Sequence, residues 1–278
     1  MNRVINFHRQ TNPEWFENVV LLLKRKYNII SANDIVAFYE GHKKLYNACL
    51  LTVDDGDETS YTIIYPILKK HHVPAIFFIS PEKMMRDGKH RNFWFQEARH
   101  CPHSEMLMNK VHLGNYSIEE IWRIIDRYKE NHHVAQLSDQ NMTLEQVLEI
   151  DKDGLVTIGA HTLDHPFLAR ESDEISRHEV VESIRQLEHY LGHPILTFAY
   201  PNGRWQHDFG IREMNYLNQT NIRVAFSTQS KDFVLQDNPL AIPRFGLSCG
   251  NLLFVRIKLL LGKRYKSIRK LISRLKLR

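Results

Sequence analysis

The chain has 278 residues, which fits one large α/β domain or two small ones, and its 43% hydrophobic and 25% charged residues are typical of a soluble globular protein. The net charge of +5 is uneven, because residues 256–278 hold ten of the 37 basic residues and no acid, which leaves −5 for residues 1–255. The start, MNRVINFHRQTNPEWF, has too short an apolar run for a signal peptide or a membrane span, so we expect a cytoplasmic chain. Scattered cysteines without CxxC spacing (Cys49, Cys101 and Cys249) favour neither a disulfide framework nor a thiolate zinc site, and we expect them to be buried.

Short β-rich runs alternate with helical patterns from end to end, which is typical of parallel βαβ units. The predicted strands are RVINF, ACLLTV, PAIFFIS, LVTIGAH, ILTFAY, VAFST and a last one near LAIPRF. The helical patterns include PEWFENVVLLLKRKY, with a proline at its start, and EISRHEVVESIRQLEHYLG, which ends at glycine. Because no low-complexity linker interrupts the alternation, we predict one barrel-like α/β domain over residues 1–250, followed by a basic helical tail over residues 251–278.

Residues 83–150 interrupt this rhythm with FWFQEARH and two helical patterns, SIEEIWRIIDRYKE and TLEQVLEID. An insertion of this length after a strand commonly forms a lid or wall over a site, which Trp94 and Phe95 would line. The alternative is that these two aromatic residues belong to a satellite core under the inserted helices.

Two groups of polar residues follow predicted strands. In LLTVDDGDETSY, Asp54 and Asp55 form either a simple turn or a pair of catalytic or metal-binding carboxylates. In LVTIGAHTLDHP, His161 and His165 are four residues apart, a spacing that places both imidazoles on one face of a helical turn. Since parallel β/α proteins build active sites at the carboxyl ends of strands, an aspartate and these histidines predict a catalytic metal with open coordination positions. Zn²⁺ suits the ligands best, although an Fe(II) triad uses the same residue types.

Taken in order, TVDDG, GAHTLDH and FAYPNG resemble the motifs of the polysaccharide deacetylase family, also called the NodB homology domain, in its FAYP variant. The resemblance extends from about residue 3 to residue 247 and implies a distorted (β/α) barrel that removes N- or O-linked acyl groups, usually acetyl, from carbohydrates with a divalent metal. It implies that Asp55, His161 and His165 bind the metal. Asp54 would be the general base, and the N–H of Asn202 would help to hold the oxyanion.

Three positions depart from the family pattern. Ala199 stands where many members have arginine, and Arg244 in PRF would supply a replacement cation beside Asp54. Asn202 replaces the usual tyrosine. The last motif lacks its histidine, since none follows His207, so the general acid would be His207, another residue or solvent.

The sequence therefore predicts a cytoplasmic Zn²⁺-dependent deacetylase acting on a glycan precursor or lipid-linked sugar. One alternative is a non-catalytic relative that binds a glycan or a lipid, which the missing histidine favours. Another is an Fe(II) oxygenase, which is disfavoured because those triads read HxD before a distant histidine.

The tail carries apolar residues at three-to-four spacing, with basic residues between them. This pattern predicts a basic amphipathic helix that docks on an anionic membrane surface, or alternatively packs on the barrel or on a partner subunit. Nucleic acid is not expected as a partner, because an apolar stripe would have no role on phosphate.

Overall fold

The computed structural model describes residues 1–84, 92–113, 116–247 and 250–262. In this part of the chain, a parallel sheet of eight strands lies at the centre. The strands are β1 (Arg3–Phe7), β2 (Asn28–Ile29), β3 (Ala48–Val53), β4 (Ala75–Ile79), β5 (Val156–Ala160), β6 (Thr197–Ala199), β7 (Val224–Phe226) and β8 (Phe245–Gly246). Their spatial order is β7-β6-β5-β4-β3-β1-β8, and β2 pairs with the first two residues of β3.

A short segment, residues 242–246, connects the two edges of the sheet. Phe245 and Gly246 of β8 pair with β1, and Ile242, just before them, forms a parallel bridge with Phe226 of β7. The sheet is therefore curled into a half-barrel, which confirms the predicted distorted (β/α) barrel. The observed last strand, β8, is shorter than the one predicted near LAIPRF, because Pro239 and Pro243 offer no N–H to a ladder and Pro239–Ala241 form a 3₁₀ turn instead.

Successive strand residues alternate between two apolar regions. The first lies inside the curled sheet and includes Val4, Leu50, Ile76, Phe78 and Phe226. The second lies between the sheet and the surrounding helices and includes Ile5, Leu51, Phe77 and Phe198. Further along the inward face, towards the carboxyl ends of β1 and β3, the side chains become polar at Asn6, Thr52 and Asp54. The barrel is thus apolar at one end and polar at the end where the strands finish.

Ten α-helices lie in the described ranges: α1 (Pro13–Lys26), α2 (Ala32–Tyr39), α3 (Tyr65–Lys70), α4 (Trp94–His100), α5 (Ser104–Leu113), α6 (Ile118–Asn131), α7 (Leu144–Asp153), α8 (Asp173–Leu191), α9 (Ile211–Leu217) and α10 (Leu252–Leu261). The side chain of Asn12 caps α1 ahead of Pro13, and Gly192 ends α8 with a left-handed φ of 73°. No helix in these ranges is long and apolar enough to cross a membrane.

Helices α4 to α7 lie between β4 and β5 in the chain. Phe93, Trp94 and Phe95 belong to a separate apolar cluster together with Ile121 and Ile125 of α6. Trp94 and Phe95 also line a cavity at the polar end of the barrel, so the two roles considered for them from sequence occur together. Cys49 and Cys101 are buried, whereas Cys249 and the tail residues 263–278 lie outside the described residues.

Candidate metal centre

Two adjacent carboxylates follow β3 and point to different partners. The N–H of Asp54 donates to Phe7 O at 3.0 Å, which continues the ladder, and its side chain lies in the barrel interior. Asp55 and Gly56 then adopt left-handed φ angles of 77° and 71°. This backbone is costly for a residue with a Cβ, and it turns Asp55 away from the interior towards the end of β5.

His161 directly follows β5 and faces Asp55. Its backbone N–H donates to Ile79 O at 3.0 Å, and its ring Nδ1 lies 2.7 Å from Ala199 O. Because a carbonyl accepts, Nδ1 carries the proton and the lone pair is on Nε2. That Nε2 lies 3.5 Å from Asp55 Oδ1. The imidazole is thus held in the tautomer that a metal ligand requires.

His165 reaches the same carboxylate through a loop and not through the predicted helical turn. Thr162 and His165 have left-handed φ angles of 63° and 56°, and Thr162 Oγ1 accepts from the His165 N–H at 3.2 Å. His165 Nε2 lies 3.8 Å from Asp55 Oδ1. The two histidines therefore converge through a loop with two left-handed residues.

The residues of this cluster fit a divalent metal. The donor atoms of Asp55, His161 and His165 lie within 4.8 Å of one another. Asp55 Oδ1 is buried and has no hydrogen-bond partner among the described residues, which is unusual for a carboxylate oxygen. Burial lowers the pKa of His165 to about 4, so its imidazole is neutral at neutral pH. One carboxylate and two imidazoles form a donor set that suits Zn²⁺.

A buried carboxylate on α8 holds the loop between the histidines. Glu179 Oε2 accepts from the N–H groups of Leu163 and Asp164, each at 2.9 Å. From the other side, Trp94 Nε1 donates to His165 O at 3.0 Å. Sequence reasoning missed Glu179. The signal available was an acidic residue on the buried face of α8, next to the apolar Val180.

Asp54 is paired with Arg244, as the sequence predicts for a replacement cation. Arg244 Nη1 and Nη2 lie 2.7 and 2.9 Å from the two carboxylate oxygens, and Asn6 Nδ2 donates to Asp54 Oδ2 at 3.1 Å. Burial raises the pKa of Asp54, but the charge and hydrogen bonds of Arg244, together with the nearby imidazoles of His161 and His8, outweigh it, and the net pKa lies below the ordinary value. Asp54 is therefore an oriented, ionised carboxylate beside the candidate metal ligands.

A cavity of about 270 Å³ opens over both carboxylates. Five of the six predicted site residues line it: Asp54, Asp55, His161, His165 and Asn202. The sixth, Arg244, contacts Asp54 but is not among the lining residues. Asn202 has a left-handed φ of 57°, and its carbonyl accepts from Thr228 Oγ1 at 2.8 Å. Its side-chain Nδ2 is buried and has no hydrogen-bond partner among the described residues.

Two histidines differ in their relation to this cavity. His207, the acid considered from sequence, is not among the cavity residues, and its Nδ1 lies 2.7 Å from Asp208 Oδ1. His8 does line the cavity, and its Nε2 lies 3.9 Å from Asp54 Oδ2. Sequence reasoning missed His8, although it follows β1 just as Asp54 follows β3.

The chain belongs to the polysaccharide deacetylase family, since residues 43–225, more than half of its length, match the model of that family. Among solved structures it is similar to IcaB from Ammonifex degensii, with a TM-score of 0.65 and 19% identity over 89% of this chain and 91% of that one. It is also similar to the Streptococcus pyogenes deacetylase PplD in complex with acetate (TM-score 0.61, 17% identity, 88% and 91% of the two chains). The BpsB deacetylase domain from Bordetella bronchiseptica gives a TM-score of 0.61 and 16% identity over 88% and 95%.

At these identities the solved structures support the fold. No protein of curated function matches the sequence.

Proposed function

We propose that the protein is a metal-dependent carbohydrate deacetylase that hydrolyses an N- or O-acetyl group of a glycan precursor or lipid-linked sugar. One observation carries the proposal: two neighbouring carboxylates are separated, so that Asp54 pairs with Arg244 while Asp55 faces His161 and His165. Hydrolysis with a metal needs both a ligand and a proton acceptor, and this arrangement supplies one of each side by side.

Asp55, His161 and His165 would hold the ion, and Zn²⁺ is the metal we propose. A divalent ion there supplies Lewis acidity towards the acyl oxygen and makes water a better nucleophile at neutral pH. The chain provides only three ligands at this cluster in its described part, which leaves coordination positions open, as in catalytic zinc sites.

Asp54 is the proposed general base. Arg244 and Asn6 donate three hydrogen bonds to its oxygens and fix the plane of the carboxylate in the cavity. Because Arg244 keeps the pKa of Asp54 low, proton acceptance depends on the position of the carboxylate more than on its basicity. Asn202 contributes donors towards the acyl oxygen, where loss of one donor typically costs about two to three decades in rate.

His8 is the proposed proton donor to the leaving sugar amine or hydroxyl. Its imidazole lines the same cavity as Asp54 and is half-exposed. The absence of a histidine after His207 favours a non-catalytic relative, whereas the imidazole of His8, the residue after β1, supports catalysis. The parallel half-barrel disfavours the Fe(II) oxygenase alternative, which is usually built on a double-stranded β-helix.

Acetate release tests the proposal. The purified protein, supplied with Zn²⁺, is incubated with nucleotide-linked, lipid-linked and oligomeric N-acetylated sugars, in parallel with Asp54→Asn. We expect acetate from at least one class and a loss of about two to four decades in the variant, which keeps its metal. Tight glycan binding with no acetate from any class would instead establish the non-catalytic relative. The cytoplasmic location remains part of the proposal, and cell fractionation tests it.

A further inference from the structure

The helix α10 is apolar on two sides, and one of them is occupied. Val255 and Leu259 are buried against the barrel core. Arg3, at the start of β1, donates through Nη1 to the carbonyl of Leu259, and Arg3 is itself almost completely buried. The helix is therefore fixed on the barrel through this inner side.

The outer side of α10 presents large apolar residues to solvent. Leu253, Phe254 and Leu260 are 59%, 61% and 74% exposed, and Ile257 lies between them in the helical order. Residues at these spacings share one face of a helix with 3.6 residues per turn. Such a grouping of exposed apolar side chains typically marks an interaction site and not ordinary surface.

The positive charges on α10 and in the sequence after it favour an anionic partner. Arg256 is exposed on α10, and the sequence after the helix, residues 263–278, contains eight lysines and arginines and no acid. A second copy of the chain would bring two such positive segments together, which is unfavourable. A bilayer surface with anionic headgroups accommodates both the apolar side chains and the positive charge.

We propose that the outer face of α10 docks the protein on an anionic lipid surface. Ten helical residues span about 15 Å, roughly half of the hydrocarbon core of a bilayer, so α10 lies on the surface and does not cross it. The apolar residues enter the interface, and Arg256 contacts headgroup phosphates.

Co-sedimentation of the full chain with lipid vesicles tests this proposal. We expect binding to phosphatidylcholine vesicles that contain phosphatidylglycerol, weak binding to phosphatidylcholine alone, and release by raised salt. The triple variant Leu253→Gln, Phe254→Gln, Leu260→Gln should bind at least about tenfold more weakly, because its apolar area no longer leaves water. The variant Lys263→Gln, Arg264→Gln, Lys266→Gln should lose roughly a hundredfold on anionic vesicles.

A matched control removes the same number of exposed apolar residues elsewhere. Ile211, Val234 and Leu235 are 68%, 48% and 50% exposed and lie outside α10, so their triple replacement by glutamine should leave vesicle binding unchanged. Equal pelleting of the α10 variant and the parent, or binding that ignores phosphatidylglycerol, would overturn the proposal. The proposal would also be overturned if the parent were a dimer that does not bind vesicles and the α10 variant were a monomer, since the face would then contact a second copy. Thermal unfolding midpoints verify that each variant is folded, and none of these measurements depends on catalysis.

Discussion

Arg244 and Asp54, 190 residues apart in the chain, form a bidentate ion pair inside the barrel, with N–O distances of 2.7 and 2.9 Å. Arg244 also donates to Ser227 O and Thr52 Oγ1, each at 3.2 Å, so its guanidinium is fixed before any substrate binds. The segment that joins the two edges of the sheet therefore places a cation beside Asp54.

Arg244→Met is expected to destabilise the protein by about 3–5 kcal/mol, because it leaves the Asp54 carboxylate charged and buried without its partner. Addition of Asp54→Asn to this variant should recover part of the loss, since the uncompensated charge is then gone. Urea unfolding of the parent, both single variants and the double variant gives the coupling free energy. As a control, Arg185→Met removes an exposed partner of Glu182 and should cost less than about 1 kcal/mol. Strictly additive losses would show that the pair does not act as a unit.

Replacement of one metal ligand is expected to remove the metal as well as the activity. In Asp55→Ala and His165→Ala, Zn²⁺ bound after dialysis should fall far below that of the parent, because two remaining ligands bind the ion weakly. The control is His193→Ala, which removes a half-exposed histidine that pairs with Asp151 on the surface. Elemental analysis of the dialysed proteins makes the comparison without any activity measurement. Parental zinc content in either ligand variant would contradict the proposed site.

His8→Gln should reduce acetate release from N-acetylated sugars by about two to four decades, as expected for loss of a general acid. With an aryl acetate, whose leaving group departs without a proton, the same variant should lose much less. His207→Gln is the matched control and should stay close to the parent, because His207 is engaged with Asp208 and does not line the cavity. The ratio of kcat/KM for the N-acetylated sugar to kcat/KM for the aryl acetate separates the two explanations. Loss of the proton donor lowers this ratio, whereas a structural effect lowers both values together. If His207→Gln shows the larger loss on the amide, the roles of the two histidines are exchanged.

The sequence predicts those parts of the fold that depend on continuous apolar runs. ACLLTV is a fully buried strand, and its composition shows this directly. In contrast, β2 has two residues and α9 has seven, too few to give a periodic signal. These short elements form because neighbouring strands and helices supply their contacts, which are not local properties of the sequence.

Candidate ligands can be recognised from sequence by residue type and position, but their geometry cannot. Left-handed φ angles at Asp55 and His165 are unusual for residues with a Cβ, and only the surrounding structure selects them. His8 lies beside Asp54 because β1 pairs with β3 in register, from Arg3 with Cys49 to Phe7 with Val53. Such proximity between distant segments follows from strand order, which the sequence predicts less directly than the strands themselves.

The buried Glu179 predicts a pH dependence of stability with a definite sign. Burial raises the pKa of its carboxyl to about 7, whereas an unfolded chain has a glutamate pKa of about 4.3. Between these values the folded state binds more protons than the unfolded state, so this group's contribution to the free energy of unfolding falls as pH rises from about 4.5 to 7. Its stabilising contribution is complete below that window and lost above it. Glu179→Gln keeps the shape and the acceptor oxygen but does not titrate.

Relative to the parent, Glu179→Gln should therefore gain about 3 kcal/mol in the free energy of unfolding across that window. Urea unfolding at a series of pH values, with a chelator present so that metal binding does not contribute, measures the difference. Glu174→Gln, which removes one exposed carboxylate from the same helix, controls for the change in net charge. A constant difference between the Glu179→Gln variant and the parent from pH about 4.5 to 7 would show that Glu179 is already ionised throughout, and that the two N–H groups of the loop between the histidines are enough to hold its charge.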